Sequence, residues 1–157
     1  MESCCFTGHR RLPTNEAGER LLRLTEESVR DAYRAGCRRF LAGGALGFDM
    51  LAAAVVCRLR DTELSDISLH LILPCRDQDS HWPPRDRERY RKMIELADSY
   101  IYLYEAYADG VMAARNRALV EAADCCIAYM NAPRSGTGLT VSMAKRRGIP
   151  VRNLADE

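Results

Sequence analysis

Short apolar runs alternate with helix-length segments along the whole chain, and this alternation leaves few folds open. Ser3–Thr7 reads as a strand. Thr14–Ala35 reads as an amphipathic helix, with Leu22, Val29 and Tyr33 among its buried-face candidates and Gly36 as its C-cap. Arg38–Ala42 is the second strand, and Gly47–Arg60 is an alanine-rich helix. Ile67–Leu73 is the third strand, and Pro83 and Pro84 suit the start of a helix that runs to Ala97. Ser99–Tyr104 is the fourth strand, Met112–Ala123 a helix, Cys125–Met130 the fifth strand and Thr137–Arg147 the last helix. Gly148 caps it, and Ile149–Arg152 closes as the sixth strand. Strands separated by helices of ten or more residues call for a parallel sheet covered on both faces. The expected class is α/β: a Rossmann-like, doubly wound, mainly parallel six-stranded sheet. The 157 residues suffice for one such domain and are too few for two ordinary ones.

Seven cysteines include two adjacent pairs, Cys4-Cys5 and Cys125-Cys126, each inside an apolar run. Strand neighbours point to opposite faces, so each pair reads as small strand residues. There is no CxxC spacing and no metal-ligand cluster, so neither a metal nor another cofactor is expected. The longest apolar stretch, Met50–Cys57, is far short of a membrane span, and the opening MESCCFTGHRR lacks a secretory pattern. A reduced, cytoplasmic protein is the expectation.

In a doubly wound sheet, ligands bind beyond the C-terminal ends of the strands. Thr7-Gly8-His9-Arg10 follows the first strand, and Gly43-Gly44-Ala45-Leu46-Gly47-Phe48-Asp49 follows the second. Arg76 follows the third, and Ser135-Gly136-Thr137-Gly138 lies in the loop after the fifth. Six of the ten glycines fall in these junctions. Glycine lets backbone approach a ligand, and a helix N-terminus offers free N–H groups to an anion. Neither loop matches GxGxxG or GxxxxGK[ST]. Gly43, Gly44, Gly47, Ser135, Gly136, Thr137 and Gly138 are therefore candidates for a phosphate cradle of another kind. Arg10 and Arg76 would supply charge, and Thr7, Gly8 and His9 would line the floor. Asp49 offers a carboxylate, with a plain loop-shaping hydrogen bond as its alternative role. Arg115 and Arg117 read equally well as surface charge. Trp82 suits either stacking on a base or packing a lid onto the body, the lid candidates being the connections Pro74–Pro84 and Glu105–Gly110. His70, between Leu69 and Leu71, reads as structural.

These residues carry a family resemblance. GGALGFDMLAA resembles the SGGARGID-type loop of the Smf (DNA-processing protein A) Rossmann domain, and SGTGLTVSMAKRRGIPV resembles that domain's second loop and helix. CCFTGHR, the His81-Trp82 region and ARNRALVEAADCCIAYMN resemble a stand-alone, YpsA-like branch of the SLOG superfamily. The resemblance covers nearly the whole chain, in order. It implies a Rossmann-like sheet, a nucleotide-derived ligand at the C-terminal strand edge, a place at that ligand for Asn116, and a homodimer or larger assembly.

The LOG branch of this superfamily cleaves the N-glycosidic bond of nucleoside monophosphates with a glutamate just after its glycine loop. The equivalent stretch Gly136–Ser142 has no acidic residue, which counts against direct transfer of that reaction. If the chain were an enzyme, a nucleotide N-glycosidase, Asp49 and His9 would be its catalytic candidates. Single-stranded DNA binding, as in Smf-type proteins, is the third reading. With 23 basic against 22 acidic side chains, a general nucleic-acid coat is not favoured. Binding of a nucleotide or related phosphate-containing small molecule, in a sensor or regulatory role, is the preferred expectation.

Overall fold

The computed structural model describes residues 1–157. All eleven expected elements form, with ends shifted by a residue or two. They are β1 (Ser3–Gly8), α1 (Asn15–Arg34), β2 (Arg39–Ala42), α2 (Phe48–Thr62), β3 (Ser68–Cys75), α3 (Pro84–Leu96), β4 (Ser99–Tyr104), α4 (Val111–Glu121), β5 (Cys125–Tyr129), α5 (Gly136–Arg147) and β6 (Val151–Asn153). One further 3₁₀ turn, Leu154–Asp156, follows β6. No helix is long and apolar enough to cross a membrane.

The sheet order is β4-β3-β2-β1-β5-β6, and every pairing is parallel. Strand side chains alternate between faces, and two hydrophobic cores follow from that. Cys4, Phe6, Phe40, Leu69, Leu71 and Leu73 face one core with Leu21, Val29, Phe48, Tyr90 and Met93 from α1, α2 and α3. Cys5, Leu41, Cys126 and Ala128 face the other with Leu119 and Val120 of α4 and Val141 and Ala144 of α5. The adjacent cysteines thus divide between the faces, and all seven are free thiols. One helix face differs from expectation. On α1 the buried stripe is Leu21, Thr25, Ser28 and Val29, while Leu22 is exposed. Thr25 and Ser28 tolerate burial because their hydroxyls donate to the carbonyls of Leu21 and Thr25. The C-cap of α1 is Ala35, with Gly36 the residue after it. His70 bridges Ser68 and Ser99, a structural role.

The chain steps outward from β1 to β4, then returns to lay β5 on the other side of β1. At that reversal the connections leave β1 and β5 toward opposite faces of the sheet. A crevice opens between the two strand ends, the usual ligand position in such sheets.

Candidate ligand-binding site

A cleft of about 300 Å³ occupies that crevice. Thr7, Gly8, His9 and Arg10 enter it from the end of β1, Ala45 and Asp49 from the β2–α2 junction, Met112, Arg115 and Asn116 from α4, and Ser135, Gly136 and Thr137 from the start of α5. Four separate chain segments therefore converge on one space, and eight of the twelve residues they contribute are polar or charged.

Arg115 is the feature that most shapes the cleft. It is only 4% exposed. Its Nη1 donates to the Gly43 carbonyl, and its Nε donates to Asn116 Oδ1 at 2.7 Å. A guanidinium has five donors, so three stay uncommitted at the cleft wall. Burial pulls the Arg115 pKa down, and the nearby Asp49 charge works the other way. Asp49 is equally buried and accepts the Ala45 N–H at 3.3 Å, which ties the glycine loop to the first turn of α2. Desolvation raises the Asp49 pKa, against the opposing pull of Arg115 and the backbone N–H groups.

The Asp49 shift carries a sign. A carboxyl whose folded pKa is raised contributes stability that is complete below the ordinary carboxylate range, about pH 4, and is lost as pH rises through the elevated value. Asp49→Asn is expected to remove this downward component. Denaturation midpoints of both proteins, measured at several pH values from 4 upward, check it. Parallel curves would show that Asp49 does not titrate in this way.

The N-terminus of α5 forms another wall of the cleft. Ser135 is its N-cap: its hydroxyl accepts the Gly138 N–H at 3.0 Å and donates to the Ala132 carbonyl at 2.6 Å. The N–H groups of Gly136 and Thr137, in the first turn, have no intrahelical acceptor, and both residues line the cleft. No acidic side chain stands in that first turn. His9 is committed on one side, because its Nε2 accepts the Asn131 N–H at 3.0 Å and so links the β1 and β5 loops. The neutral ring carries its proton on Nδ1 in that arrangement.

Nine of the fourteen residues expected from sequence line this cleft: Thr7, Gly8, His9, Arg10, Asp49, Asn116, Ser135, Gly136 and Thr137. Five do not. Gly43 and Gly44 are buried, the first against Arg115 and the second against Leu73 and Tyr90. Gly47 lies against the backbone carbonyls of His9 and Arg10, and Gly138 against the Pro133 carbonyl. These four are close-packing glycines, and they shape the cleft from behind. Arg76 turns to the outer edge of the sheet, where it pairs with Glu105 at 2.9 Å and covers the Tyr102 ring. Its place just after β3, two strands away from β1, keeps it from the reversal point. Ala45, Met112 and Arg115 are the lining residues that sequence reasoning did not assign to the site.

A second chamber of about 310 Å³ adjoins the cleft and shares Arg10, Ala45 and Met112 with it. Leu46, Gln78, Trp82 and Tyr107 complete its walls. Trp82 packs edge-on against Tyr90, as a side chain holding a lid to the body does, and Arg10 approaches its ring at 5.9 Å. The Asp77 carboxylate accepts the Tyr107 N–H at 2.8 Å and so joins the β3–α3 and β4–α4 loops. Gln78 Nε2 donates to Tyr90 Oη at 3.2 Å, leaving Gln78 Oε1 as the one buried side-chain polar atom without a partner.

The chain is similar to known proteins in sequence and in fold. A UPF0398 protein of Halalkalibacterium halodurans is 27% identical over 125 residues, covering 78% of this chain and 66% of the relative. Another, of Oceanobacillus iheyensis, is 27% identical over 108 residues, covering 68% of this chain and 58% of the relative. The chain thus spans about two thirds or less of the length of these curated relatives. Among solved structures, DNA processing protein A of Streptococcus pneumoniae superposes with a TM-score of 0.68 at 17% identity, over 96% of this chain and 49% of that one. DNA processing protein A of Helicobacter pylori, whose structure describes single-stranded DNA binding, gives 0.67 at 21% identity over 96% of this chain and 63% of that one. At these identities the likeness is one of fold. The YpsA family model, described as the YspA SLOG family, matches residues 14–147, and the chain belongs to that family.

Proposed function

We propose that the chain binds a nucleotide or nucleotide-derived small molecule, with a phosphate held in the cleft between β1 and β5. The observation that carries this reading is that the buried Arg115 guanidinium, with uncommitted donors, lines the same cleft as Gly136 and Thr137 at the free N-terminus of α5. A buried cation and a helix N-terminus converging on one space suit an anion, and a planar fork suits phosphate oxygens. The adjoining chamber takes the sugar and base, with Trp82 and Tyr107 as aromatic walls. Gln78 Oε1 there is an acceptor in want of a donor.

Binding fits the site better than hydrolysis. Asp49 is the one carboxylate lining the cleft, and it is engaged with the Ala45 N–H; the His9 Nε2 is engaged with Asn131. An acid–base pair for glycosidic cleavage needs groups free to give and take protons.

Calorimetry with nucleoside monophosphates, ADP-ribose and inorganic phosphate tests the reading. Micromolar binding of at least one ester is expected, and Gly136→Val is expected to abolish it while leaving the fold intact, since a side chain there meets no protein atom within 4 Å. No heat with any of them, or unchanged affinity in the variant, overturns the proposal. Chromatography of the same mixtures reports any free base, which would mark the protein as a hydrolase instead.

A further inference from the structure

The opposite edge of the sheet holds a second chemistry. Cys37 lies just before β2 and Cys125 opens β5, with β1 between them. Their sulfurs are 3.7 Å apart. Cys37 is fully buried, whereas Cys125 is partly open to solvent. We propose that Cys125 and Cys37 form a peroxide-responsive thiol pair, in which Cys125 is oxidised first and Cys37 resolves it to an intramolecular disulfide.

Two observations single out this pair among seven thiols. The Cys37 and Cys125 sulfurs lie 3.7 Å apart, so the resolving group is already beside the attacking one, while Cys4 is the cross-strand neighbour of Cys125 on β1. The two sulfurs also differ in character. Hydrogen bonding from Cys4, with a further contribution from Cys37, lowers the Cys125 pKa to about 7, although burial opposes it. Burial, with the Cys125 charge beside it, pushes Cys37 up to about 12. A thiolate-rich, accessible sulfur next to a protonated neighbour is the usual arrangement of an oxidation-sensitive cysteine. Cys57 and Cys75 are both raised by burial and have no sulfur neighbour.

The chemistry balances with a hydroperoxide as oxidant. The Cys125 thiolate attacks the outer peroxide oxygen and the O–O bond breaks. The leaving alkoxide takes a proton from solvent, and Cys125 becomes a sulfenic acid. The Cys37 sulfur then attacks the Cys125 sulfur and the S–O bond breaks. Water departs with the Cys37 proton. In sum, two thiols and one hydroperoxide give one disulfide, one alcohol and one water. The disulfide would tie the entry of β2 to the entry of β5 across β1, far from the ligand cleft at the other strand ends.

Mild hydrogen peroxide treatment of the whole protein, followed by non-reducing peptide mapping, tests this. The expected product is a Cys37–Cys125 linked peptide pair, lighter by two hydrogens and restored by dithiothreitol. Cys37→Ser is expected to leave a Cys125 sulfenic acid that dimedone traps, and Cys125→Ser to abolish both species. Should a serine variant fail to fold, the native protein still decides. Iodoacetamide labelling of Cys125 should then show a midpoint near pH 7 and outpace every other cysteine. A cross-link elsewhere, a link only between molecules, or a Cys125 that reacts no faster than Cys57 overturns the proposal.

Discussion

Arg115→Met is expected to weaken nucleoside monophosphate binding by roughly 10- to 100-fold. The estimate comes from the loss of charge-assisted hydrogen bonds of about 1.5–3 kcal/mol, at about 1.4 kcal/mol per tenfold. Methionine fills much of the same volume without the charge, so the cleft keeps its shape. Arg115→Lys should recover only part of the loss, because an ammonium cannot present a planar fork while also holding the Gly43 carbonyl and Asn116. The substitution also removes the positive neighbour that opposes the upward shift of Asp49, whose carboxyl should then titrate higher still. Arg117→Met is the control: it lies two residues along the same helix but is exposed and outside the cleft. Calorimetry on all three variants, with thermal midpoints measured alongside, separates lost binding from lost folding. An Arg115→Met protein that is folded and binds within twofold of the original would show that the anion sits elsewhere.

The contrast between Arg115 and Arg117 also shows how far the sequence is legible. The alternation of strands and helices determined the element order, the parallel sheet and the division of the cysteine pairs, because strand period and burial are local properties. A local signal for Arg115 was present as well. Val111, Arg115 and Leu119 recur every four residues, and the two apolar members are buried, so the arginine shares their inward face. What is not local is the choice among glycines. Gly43, Gly44, Gly47 and Gly136 look alike in the chain. Only the folded chain brings Arg115 onto Gly43, Leu73 and Tyr90 onto Gly44 and the His9 and Arg10 carbonyls onto Gly47, and leaves Gly136 open. Arg76 misleads for a related reason. It leaves its strand at the correct end of the sheet, but the reversal of strand order lies between β1 and β5, and nothing near Arg76 in sequence records that distance.

Gly47→Ala is expected to be the most destabilising single substitution around the cleft, by at least about 3 kcal/mol. Two independent causes act at this residue. Its backbone has φ +86° and ψ −122°, a conformation that costs a side-chain-bearing residue about 1–3 kcal/mol. An added Cβ would also stand closer than 3.0 Å to the carbonyl oxygens of both His9 and Arg10. The His9 carbonyl cannot move freely, because it accepts the Phe48 N–H at 3.1 Å, and Phe48 in turn packs so tightly on Gly8 that no side chain fits there. Relief of the clash would have to displace residues 8–10, the floor of the cleft, so binding should fall together with stability. Against a typical domain stability of about 5–15 kcal/mol, such a loss is large enough to read directly in a urea titration. The same exchange at Gly136, which has no left-handed backbone and open space around its Cβ position, should cost little stability. If Gly47→Ala unfolds at the same urea concentration as the original, the close approach of the two loops is wrong, and with it the backing that holds His9 and Arg10 at the mouth of the cleft.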